Sequence, residues 1–426
     1  MSAEKITSGL AQTMAAASSE ETIPIIVKYR TGVVAAQKLV PGVSPAFRYK
    51  LVPAVAMRVK PADIQALSED DSVVRIWQDL PVHTCLHESL PLIGVPAVWA
   101  AGVRGRGVKI GIVDTGIDPD HPDFAGRIVS GANFVRDGTS YRDDNGHGTH
   151  VAGIAAGDGS VLGGKYRGVA PEASLYVAKV LDAGGSGMMS GVMAGIEWAV
   201  EQGVQVINLS LGGSAPCDGT DALSETCDAA VAAGVVVCVA AGNLGPKAKT
   251  VGSPGCARQV ITLGASDKLD DIASFSSRGP TSDGRTKPDL LFPGVDIVAP
   301  RARGTTMGYP LDDYYTTASG TSMATPHATG AVALLLQTDP TLTPAQVKDL
   351  LMQTAKDLGF EANTQGAGRA DVYQAYLLAS APPPEEPGEP EPPPPPEEPG
   401  EPEPPQPPGE PGGCWQAVKR ALGIGG

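Results

Sequence analysis

The sequence predicts an α/β protein whose main domain is a doubly wound, mostly parallel sheet with helices on both faces. Between residues 108 and 379, short runs of Val, Ile, Leu and Ala alternate with helical segments, which is typical of a parallel sheet buried on both sides. Residues 1–85 follow a separate α+β pattern, and residues 381–413 consist almost entirely of Pro, Glu and Gly. We therefore expect two folded units and a disordered tail.

The composition excludes some classes of function. The 426 residues include 32 Lys and Arg against 47 Asp and Glu, and the resulting net charge of -15 argues against a nucleic acid partner. No apolar run approaches the length of about 18 residues that a membrane-spanning helix needs. Residues 1–21 lack the basic and then apolar pattern of a signal peptide.

The first 85 residues predict a small α+β domain. Its helix begins at Pro61, because proline is favoured in the first turn of a helix. A linker, Asp79–Leu90, follows, and Pro81 and Pro91 are expected to interrupt regular structure there. Apolar or alternating runs predict strands at Ile23–Tyr29, Tyr49–Val59 and Ser72–Trp77.

The main domain, residues 86–380, is predicted from apolar strands and the helices between them. Its strands are expected at Val108–Asp114, Ser174–Leu181, Val204–Leu211, Val235–Ala241 and Val260–Ala265. Its helices are expected at Val95–Gly102, Asn145–Ala156, Met188–Gln202, Ala328–Gln337, Pro344–Ala355 and Ala370–Ala379.

An acid, a base and a nucleophile lie at the ends of these elements. Asp114 ends a strand, at the edge of a parallel sheet where α/β proteins hold their sites. His147 lies at the start of one helix and Ser322 at the entrance of another, where unpaired N–H groups favour negative charge. A serine at a helix start is more often only a cap. The three residues together indicate nucleophilic catalysis.

These motifs resemble those of the subtilisin-like serine proteases, the subtilases. The matching stretches are Val113–Asp118 (VDTGID), His147–Gly153 (HGTHVAG), Ala240–Asn243 (AAGN) and Gly320–His327 (GTSMATPH). Their order, Asp then His then Ser, is that of the family, and the resemblance extends over about residues 86–378. It implies a serine endopeptidase that cleaves extended polypeptides with Asp114, His147 and Ser322, and that needs no cofactor for catalysis.

The resemblance also implies how the oxyanion and the substrate are bound. The side-chain amide of Asn243 would donate to the oxyanion, although an asparagine at a strand end is more often a turn residue. Gly252 would form a wall of the first specificity pocket. Two edge segments would pair with the substrate backbone. Their residues are Gly184, Gly185 and Ser186, and Ser210, Leu211 and Gly212.

Beside a subtilase domain, the N-terminal unit resembles the propeptide of the family, a ferredoxin-like domain that acts as chaperone and inhibitor. The chain would then be a monomeric precursor that cuts itself in the linker, after Leu80, His83, Cys85 or Leu86. An ordinary accessory domain is the alternative. The expected partners are protein substrates and the chain's own propeptide.

Asp123 is a candidate ligand for a structural calcium ion. It lies in the loop Pro119–Phe124, which matches a stretch of the family whose last acid can help to bind calcium. The Gly-rich segment Gly157–Tyr166 departs from the loop that supplies the other ligands in the best-known members. A calcium ion takes six or more oxygen atoms, and the sequence does not indicate which residues would supply the ligands other than Asp123.

The cysteines bear on disulfides and on the compartment. Bridges between Cys217 and Cys227 and between Cys238 and Cys256 are plausible, but four cysteines allow three pairings and free buried thiols are equally open. A self-inhibiting precursor with cysteines beside strands favours a secreted protein. The absence of a signal peptide pattern in residues 1–21 favours the cytoplasm.

The tail supports an alternative function. Residues 382–392 recur unchanged at 394–404, which predicts an extended spacer over 381–413. Residues 414–426 would form a short amphipathic helix or a frayed end. The alternative is a non-catalytic subtilase scaffold that binds a partner through this tail. The complete set of Asp114, His147, Asn243 and Ser322 favours the protease, because a binding scaffold does not need all four.

Overall fold

The computed structural model describes residues 5–30, 40–49, 53–79, 86–135, 138–213, 215–381, 405, 406 and 409. The chain divides into two compact units, Met1–Ser380 and Ala381–Gly426. Most of the predicted spacer and all of the predicted C-terminal helix lie outside the described residues. Within the described part of the chain, no helix has the length and apolar character needed to cross a membrane.

The N-terminal residues form a four-stranded antiparallel sheet in the order β2-β3-β1-β4. Ile25 and Val27 of β1 and Ile64 of α2 lie in its core. A helix that the sequence did not predict, α1, adds the buried Leu10. The ferredoxin-like arrangement stays a prediction, because residues 31–39 between β1 and β2 are not described. The elements are α1 Ser8–Ala16, β1 Ile23–Tyr29, β2 Phe47–Arg48, β3 Ala54–Val59, α2 Pro61–Glu69 and β4 Val73–Gln78.

The main domain is built on a seven-stranded sheet in the order β11-β10-β9-β8-β5-β7-β6, in which every neighbouring pair is parallel. The three strands at the centre of the sheet, β5, β8 and β9, are buried except for the first residue of β5, as their continuous apolar sequences predicted. They are β5 Lys109–Asp114, β6 Ile128–Asn133, β7 Ser174–Lys179, β8 Val206–Leu209, β9 Val236–Ala240, β10 Ile261–Ser266 and β11 Leu290–Pro293.

Helices cover both faces of this sheet, which confirms the doubly wound α/β prediction. Helices α5 and α8 pack on one face and α6 and α7 on the other, and each face has its own apolar core. The helices are α3 Leu86–Leu92, α4 Val95–Ala100, α5 His147–Ala156, α6 Met189–Glu201, α7 Ala222–Ala232, α8 Thr321–Thr338, α9 Pro344–Gln353, α10 Ala362–Gln365 and α11 Val372–Ala379.

Several elements did not stand out in the sequence. Strands β6 and β11 extend the main sheet at its two edges, and a separate antiparallel sheet follows it in the chain, in the order β12-β14-β13. The strands from β11 to β14 have only two to four residues, too few for a clear pattern, and β6 has no fully buried residue. The small sheet consists of β12 Ile297–Pro300, β13 Tyr309–Pro310 and β14 Tyr315–Ala318.

The expectation that Pro91 interrupts regular structure is wrong. Helix α3 runs through Pro91 and occupies the second half of the predicted linker. Tertiary contacts hold this segment: Ser89 and Leu90 are buried, and the Ser89 hydroxyl lies 3.0 Å from Nε2 of His327 on α8. Arg369 also donates to the carbonyl oxygen of Leu92 at 2.8 Å.

Helices α5 and α8 meet at a glycine. A Cβ atom on Gly330 of α8 would collide with Val169 Cβ and lie 2.9 Å from the carbonyl oxygen of Ala155 on α5. Because neither Val169 nor the α5 backbone has room to retreat within the core, only glycine permits this spacing. Gly330 therefore determines how close α5 lies to α8.

We predict that Gly330→Ala destabilises the protein by about 1–3 kcal/mol, the usual effect of overpacking a core. In an unconstrained helix the same change stabilises by about 1 kcal/mol, because alanine is the better helix former. The sign of the change in unfolding free energy, measured by urea denaturation, shows whether overpacking of the core or the helix propensity of alanine dominates. A more stable variant would show that α5 and α8 do not depend on this contact.

Candidate active site

Asp114 and His147 form a hydrogen-bonded pair at the carboxyl edge of the main sheet. Asp114 is the last residue of β5 and is fully buried, and Nδ1 of His147 lies 2.7 Å from its Oδ1. The backbone N–H of Thr115 donates to the same oxygen at 2.7 Å. Because the carboxylate accepts from Nδ1–H, the other ring nitrogen, Nε2, is left as the basic atom.

The pKa of His147 reflects two opposing effects. Burial lowers it, but the charge of Asp114 and its hydrogen bond, with a further contribution from Asp143, raise it above its ordinary value. A general base needs a pKa near the working pH, so the pair is suited to taking up a proton and returning it.

Ser322 is the second residue of α8 and makes a reciprocal contact with Ser210, the residue after β8. Its hydroxyl donates to the carbonyl oxygen of Ser210 at 3.1 Å, and the Ser210 hydroxyl donates to the carbonyl oxygen of Ser322 at 2.9 Å. Ser210 and His147 line the same cleft. The fold therefore brings the predicted nucleophile and base to one edge of the sheet.

Asn243 follows β9 and is fixed to the residue before the nucleophile. Its Oδ1 accepts from the backbone N–H of Thr321 at 2.9 Å and from the Thr321 hydroxyl at 3.0 Å. A backbone N–H can only donate, so the atom that faces it is the amide oxygen. The Nδ2 group of Asn243 is thereby left to donate elsewhere beside Ser322.

A cleft of about 530 Å³ runs past His147. Of the predicted substrate-binding residues, Gly185, Ser186, Ser210, Leu211 and Gly212 line it, whereas Gly184 and Gly252 do not. Gly252 is buried behind it, next to Ser253, whose carbonyl oxygen accepts from the N–H of Gly213 at 2.7 Å. The cleft has an apolar part that the sequence did not reveal, formed by Leu181, Met189, Val192, Leu211 and Leu223.

Comparisons with known proteins identify the family of this chain. Residues 105–369 match the subtilase family, peptidase S8. The chain belongs to the subtilase family. It is 40% identical over 351 residues to the serine protease AprX of Bacillus subtilis strain 168, covering 76% of this chain and 79% of AprX. It is 44% identical over 289 residues to subtilisin DY of Bacillus licheniformis, covering 67% of this chain and 97% of that protein.

A solved structure is also similar. It is a cold-adapted subtilisin-like serine proteinase with a TM-score of 0.51 and 36% sequence identity, and the match covers 63% of this chain and 88% of that one. The chain is thus a subtilisin-like serine endopeptidase, a hydrolase that acts on proteins.

The surroundings of Asp123 do not fit a calcium ion. One carboxylate oxygen accepts from the Tyr315 hydroxyl at 2.9 Å, and the other accepts from Ser160 Oγ at 3.2 Å and Val161 N at 3.3 Å. The described residues also include no group of three or more His, Cys, Asp or Glu side chains placed to hold a metal. In this subtilase Asp123 thus joins the loop after α5 to the strand that carries Tyr315.

The suggested disulfides are wrong. The structure joins Cys217 to Cys256, whereas Cys227 and Cys238 are buried free thiols. Cys227 packs in the core on one face of the sheet and Cys238 in the core on the other. Their positions on opposite faces also exclude a bridge between Cys227 and Cys238.

Asp143, which the sequence analysis missed, connects the two elements that carry Asp114 and His147. Its buried Oδ1 accepts from Thr115 Oγ1 at 2.9 Å and from Gly146 N at 2.8 Å, and its Oδ2 accepts from Thr149 N at 2.9 Å. Burial raises the pKa of Asp143, but these hydrogen bonds more than offset it and hold the pKa below its ordinary value. An acid just before a helix was the available signal, since anions are favoured there.

Lys179 was missed as well. It ends β7 beside Asp114 and is only 4% exposed. Its ammonium group donates to Thr115 O and Asp144 Oδ1, each at 2.7 Å, and to Leu181 O at 2.9 Å. It thereby ties the chain after Asp114 to both loops beside the cleft. A lysine at the end of an apolar strand was the only sign of this in the sequence.

The two other histidines of these motifs are structural. His150 Nε2 lies 3.1 Å from the carbonyl oxygen of Ile297, and burial lowers the pKa of His150 to about 3. His327 Nδ1 lies 2.8 Å from the carbonyl oxygen of Met323, and burial lowers the pKa of His327 to about 4. Both rings therefore stay neutral at ordinary pH, and neither joins His147 in the cleft.

We predict that Asp143→Asn lowers kcat/KM by about 10–100-fold, because a small displacement of α5 misplaces His147. Only neutral His147 can act as a base, so activity is lost as the pH falls through its raised pKa. Removal of the Asp143 charge lowers the pKa of His147, so the acid limb of the kcat/KM profile moves to lower pH.

The matched control is Asp144→Asn, which removes the neighbouring carboxylate, whose hydrogen bond among the described residues is with Lys179 and not with α5. Its acid limb should stay where that of the unaltered protein lies. An acid limb that moves equally in both variants would mean that Asp143 has no specific effect on His147.

Proposed function

We propose that this subtilase hydrolyses peptide bonds through an acyl-enzyme on Ser322. The observation that carries the proposal is the 2.7 Å pair of Asp114 and His147 at the sheet edge where Ser322 lies in the first turn of α8. His147 Nε2 takes the hydroxyl proton as Ser322 Oγ attacks the carbonyl carbon, and then gives it to the leaving amine. Water attacks the acyl carbon in the same way and releases the product acid.

The substrate itself would release the nucleophile. The Ser322 hydroxyl donates to the carbonyl oxygen of Ser210, which is also an acceptor at the edge of the cleft. An extended substrate that pairs with this edge offers its own N–H to that oxygen. The hydroxyl is then free to turn towards His147 Nε2.

Two donors would hold the oxyanion of the tetrahedral intermediate. The backbone N–H of Ser322 lies in the first turn of α8, where N–H groups lack intrahelical partners and favour negative charge. The Nδ2 group of Asn243 is available because Thr321 holds its Oδ1. Donors fixed before the reaction stabilise the developing charge without reorganisation.

The substrate would bind as an extended chain between the segments Gly184–Ser186 and Ser210–Gly212. Main-chain pairing with these segments fixes the register, and alternate side chains enter pockets. The apolar lining by Leu181, Met189 and Val192 favours an apolar side chain upstream of the cleaved bond. Gly252 would lie behind the first specificity pocket.

Residues 1–85 would be a propeptide that the enzyme removes itself. Its small core, which includes Ile25 and Val27, is separate from the cores of the main domain. Because α3 begins at Leu86 and its residues Ser89 and Leu90 are buried, the cut is expected before this helix, within Asp79–Cys85. The mature enzyme would be a monomer. The bridge between Cys217 and Cys256 suits an oxidising compartment, so we propose export.

Intact mass over time tests processing and the nucleophile together. The unaltered protein should lose the segment before a cut in Asp79–Cys85, whereas Ser322→Ala stays at full length. Peptidase activity should fall by about 10⁶-fold, the loss known for this change in subtilisin. The control Ser380→Ala removes an exposed hydroxyl at the end of α11 and should process normally. A Ser322→Ala protein that still shortens itself when pure contradicts the proposal.

The oxyanion role of Asn243 has a matched pair of variants. Asn243→Ala should lower kcat by about 10²–10³, the effect known for this donor in subtilisin, with little change in KM. Asn243→Asp keeps an oxygen for the Thr321 contacts but lacks the donor, so it should lose as much. Recovery of kcat in Asn243→Asp would mean that Asn243 acts only by holding Thr321.

A further inference from the structure

The disulfide joins two loops that differ in how firmly they are held. The cleft edge continues from Ser210 into Gly212 and Gly213, which are exposed and lack side chains. Beyond the contacts of Ser210 with Ser322, this edge is joined to the body by the 2.7 Å bond from Gly213 N to Ser253 O. Glycine backbone is flexible, so this edge has little stiffness of its own. Cys217 lies just beyond it, before α7 begins.

The other loop is fixed on both sides. Residues 251–257 are all buried. Ser253 Oγ donates to Asp221 Oδ1 at 2.6 Å, where Asp221 caps α7, and Thr262 Oγ1 of β10 donates to the carbonyl oxygen of Gly255 at 2.7 Å. Cys256 thus belongs to a rigid part of the wall behind the cleft.

The bridge places these loops side by side, with 6.0 Å between the Cα atoms of Cys217 and Cys256. Hydrogen bonds from two further residues, Arg285 and Ser282, also hold these loops. Arg285 Nη2 donates to the carbonyl oxygens of Asp218 at 2.7 Å and Cys256 at 2.8 Å, and Ser282 N donates to the carbonyl oxygen of Cys217 at 2.9 Å. Without the bridge the loops would stay near each other but would no longer be fixed.

We infer that the disulfide between Cys217 and Cys256 is a positioning element for the substrate cleft, which holds the Gly212–Gly213 edge in register with the peptide. The inference rests on the proposed function. Opening the bridge should weaken the pairing of extended substrates with this edge. Asp114, His147 and Ser322 should be unaffected, because β5, α5 and α8 are held by the core and by Asp143.

The two other described cysteines do not interfere with a test. Cys227 and Cys238 are buried, and burial raises the pKa of both thiols, that of Cys238 to about 12. They therefore have almost no thiolate at neutral pH. Cys85 and Cys414 lie outside the described residues, so both are replaced by serine in the background protein.

The test compares this background protein with the same protein that also carries Cys217→Ser and Cys256→Ser. We expect KM for an extended tetrapeptide p-nitroanilide to rise about three- to tenfold, a loss of roughly 1 kcal/mol in binding. The value of kcat and the rate of reaction with diisopropyl fluorophosphate should change by less than about twofold. This small reagent phosphorylates the serine with release of fluoride and needs no extended cleft.

Dithiothreitol gives a second measurement on the folded background protein. It reduces the bridge to two thiols and itself becomes a cyclic disulfide. It should raise KM in the background protein as the substitutions do, and should have no effect on the variant that lacks the bridge. This arm remains informative even if the variant folds poorly.

An unchanged KM in both arms overturns the inference. It is also overturned if KM, kcat and the fluorophosphate rate deteriorate together with thermal stability, since the bridge would then serve only the general fold. If the processed background protein does not react with diisopropyl fluorophosphate at all, the proposed function fails as well. The fluorophosphate rate thus separates failure of this inference from failure of the enzyme assignment.

Discussion

The hydrogen bond between Asp114 and His147 is the interaction on which the rest of the site depends. A buried carboxylate and an imidazole stay 2.7 Å apart only if strand β5 and helix α5 are fixed to each other. Asp143 fixes them by accepting from Thr115 on one side and from Gly146 on the other. The buried carboxylate of Asp143 thus supports the position of the buried carboxylate of Asp114.

Close packing of helices α5 and α8 also determines where His147 lies relative to Ser322. Helices α5 and α8 carry His147 and Ser322 at their first turns, and Gly330 lets their backbones approach. The first turn of α8 then offers unpaired N–H groups, which favour negative charge, beside Ser322. A single arrangement of buried helices therefore sets the spacing of His147 and Ser322 and places a helix N-terminus at Ser322.

The edge of the cleft is held by contacts outside the apolar core. At Gly212 and Gly213 this edge is exposed and lacks side chains, so the core cannot hold it. In this chain hydrogen bonds from Ser282 and Arg285 and the bridge between Cys217 and Cys256 hold the neighbouring loop. The loop beside this edge is thus held by contacts that differ from the apolar core around β5, α5 and α8.

The sequence alone determined the fold class, because continuous apolar strands predict a buried parallel sheet, and it predicted the acid, base and nucleophile, because the motifs are local. Only the tertiary structure decided which cysteines pair and that Asp143 links β5 to α5. It also decided that the hydroxyls of Tyr315 and Ser160 donate hydrogen bonds to the Asp123 carboxylate. These outcomes depend on which loops and sheet faces meet across the core, so side chains distant in the chain decide them. Helix α3 was missed for the same reason, because contacts with His327 and Arg369 hold it.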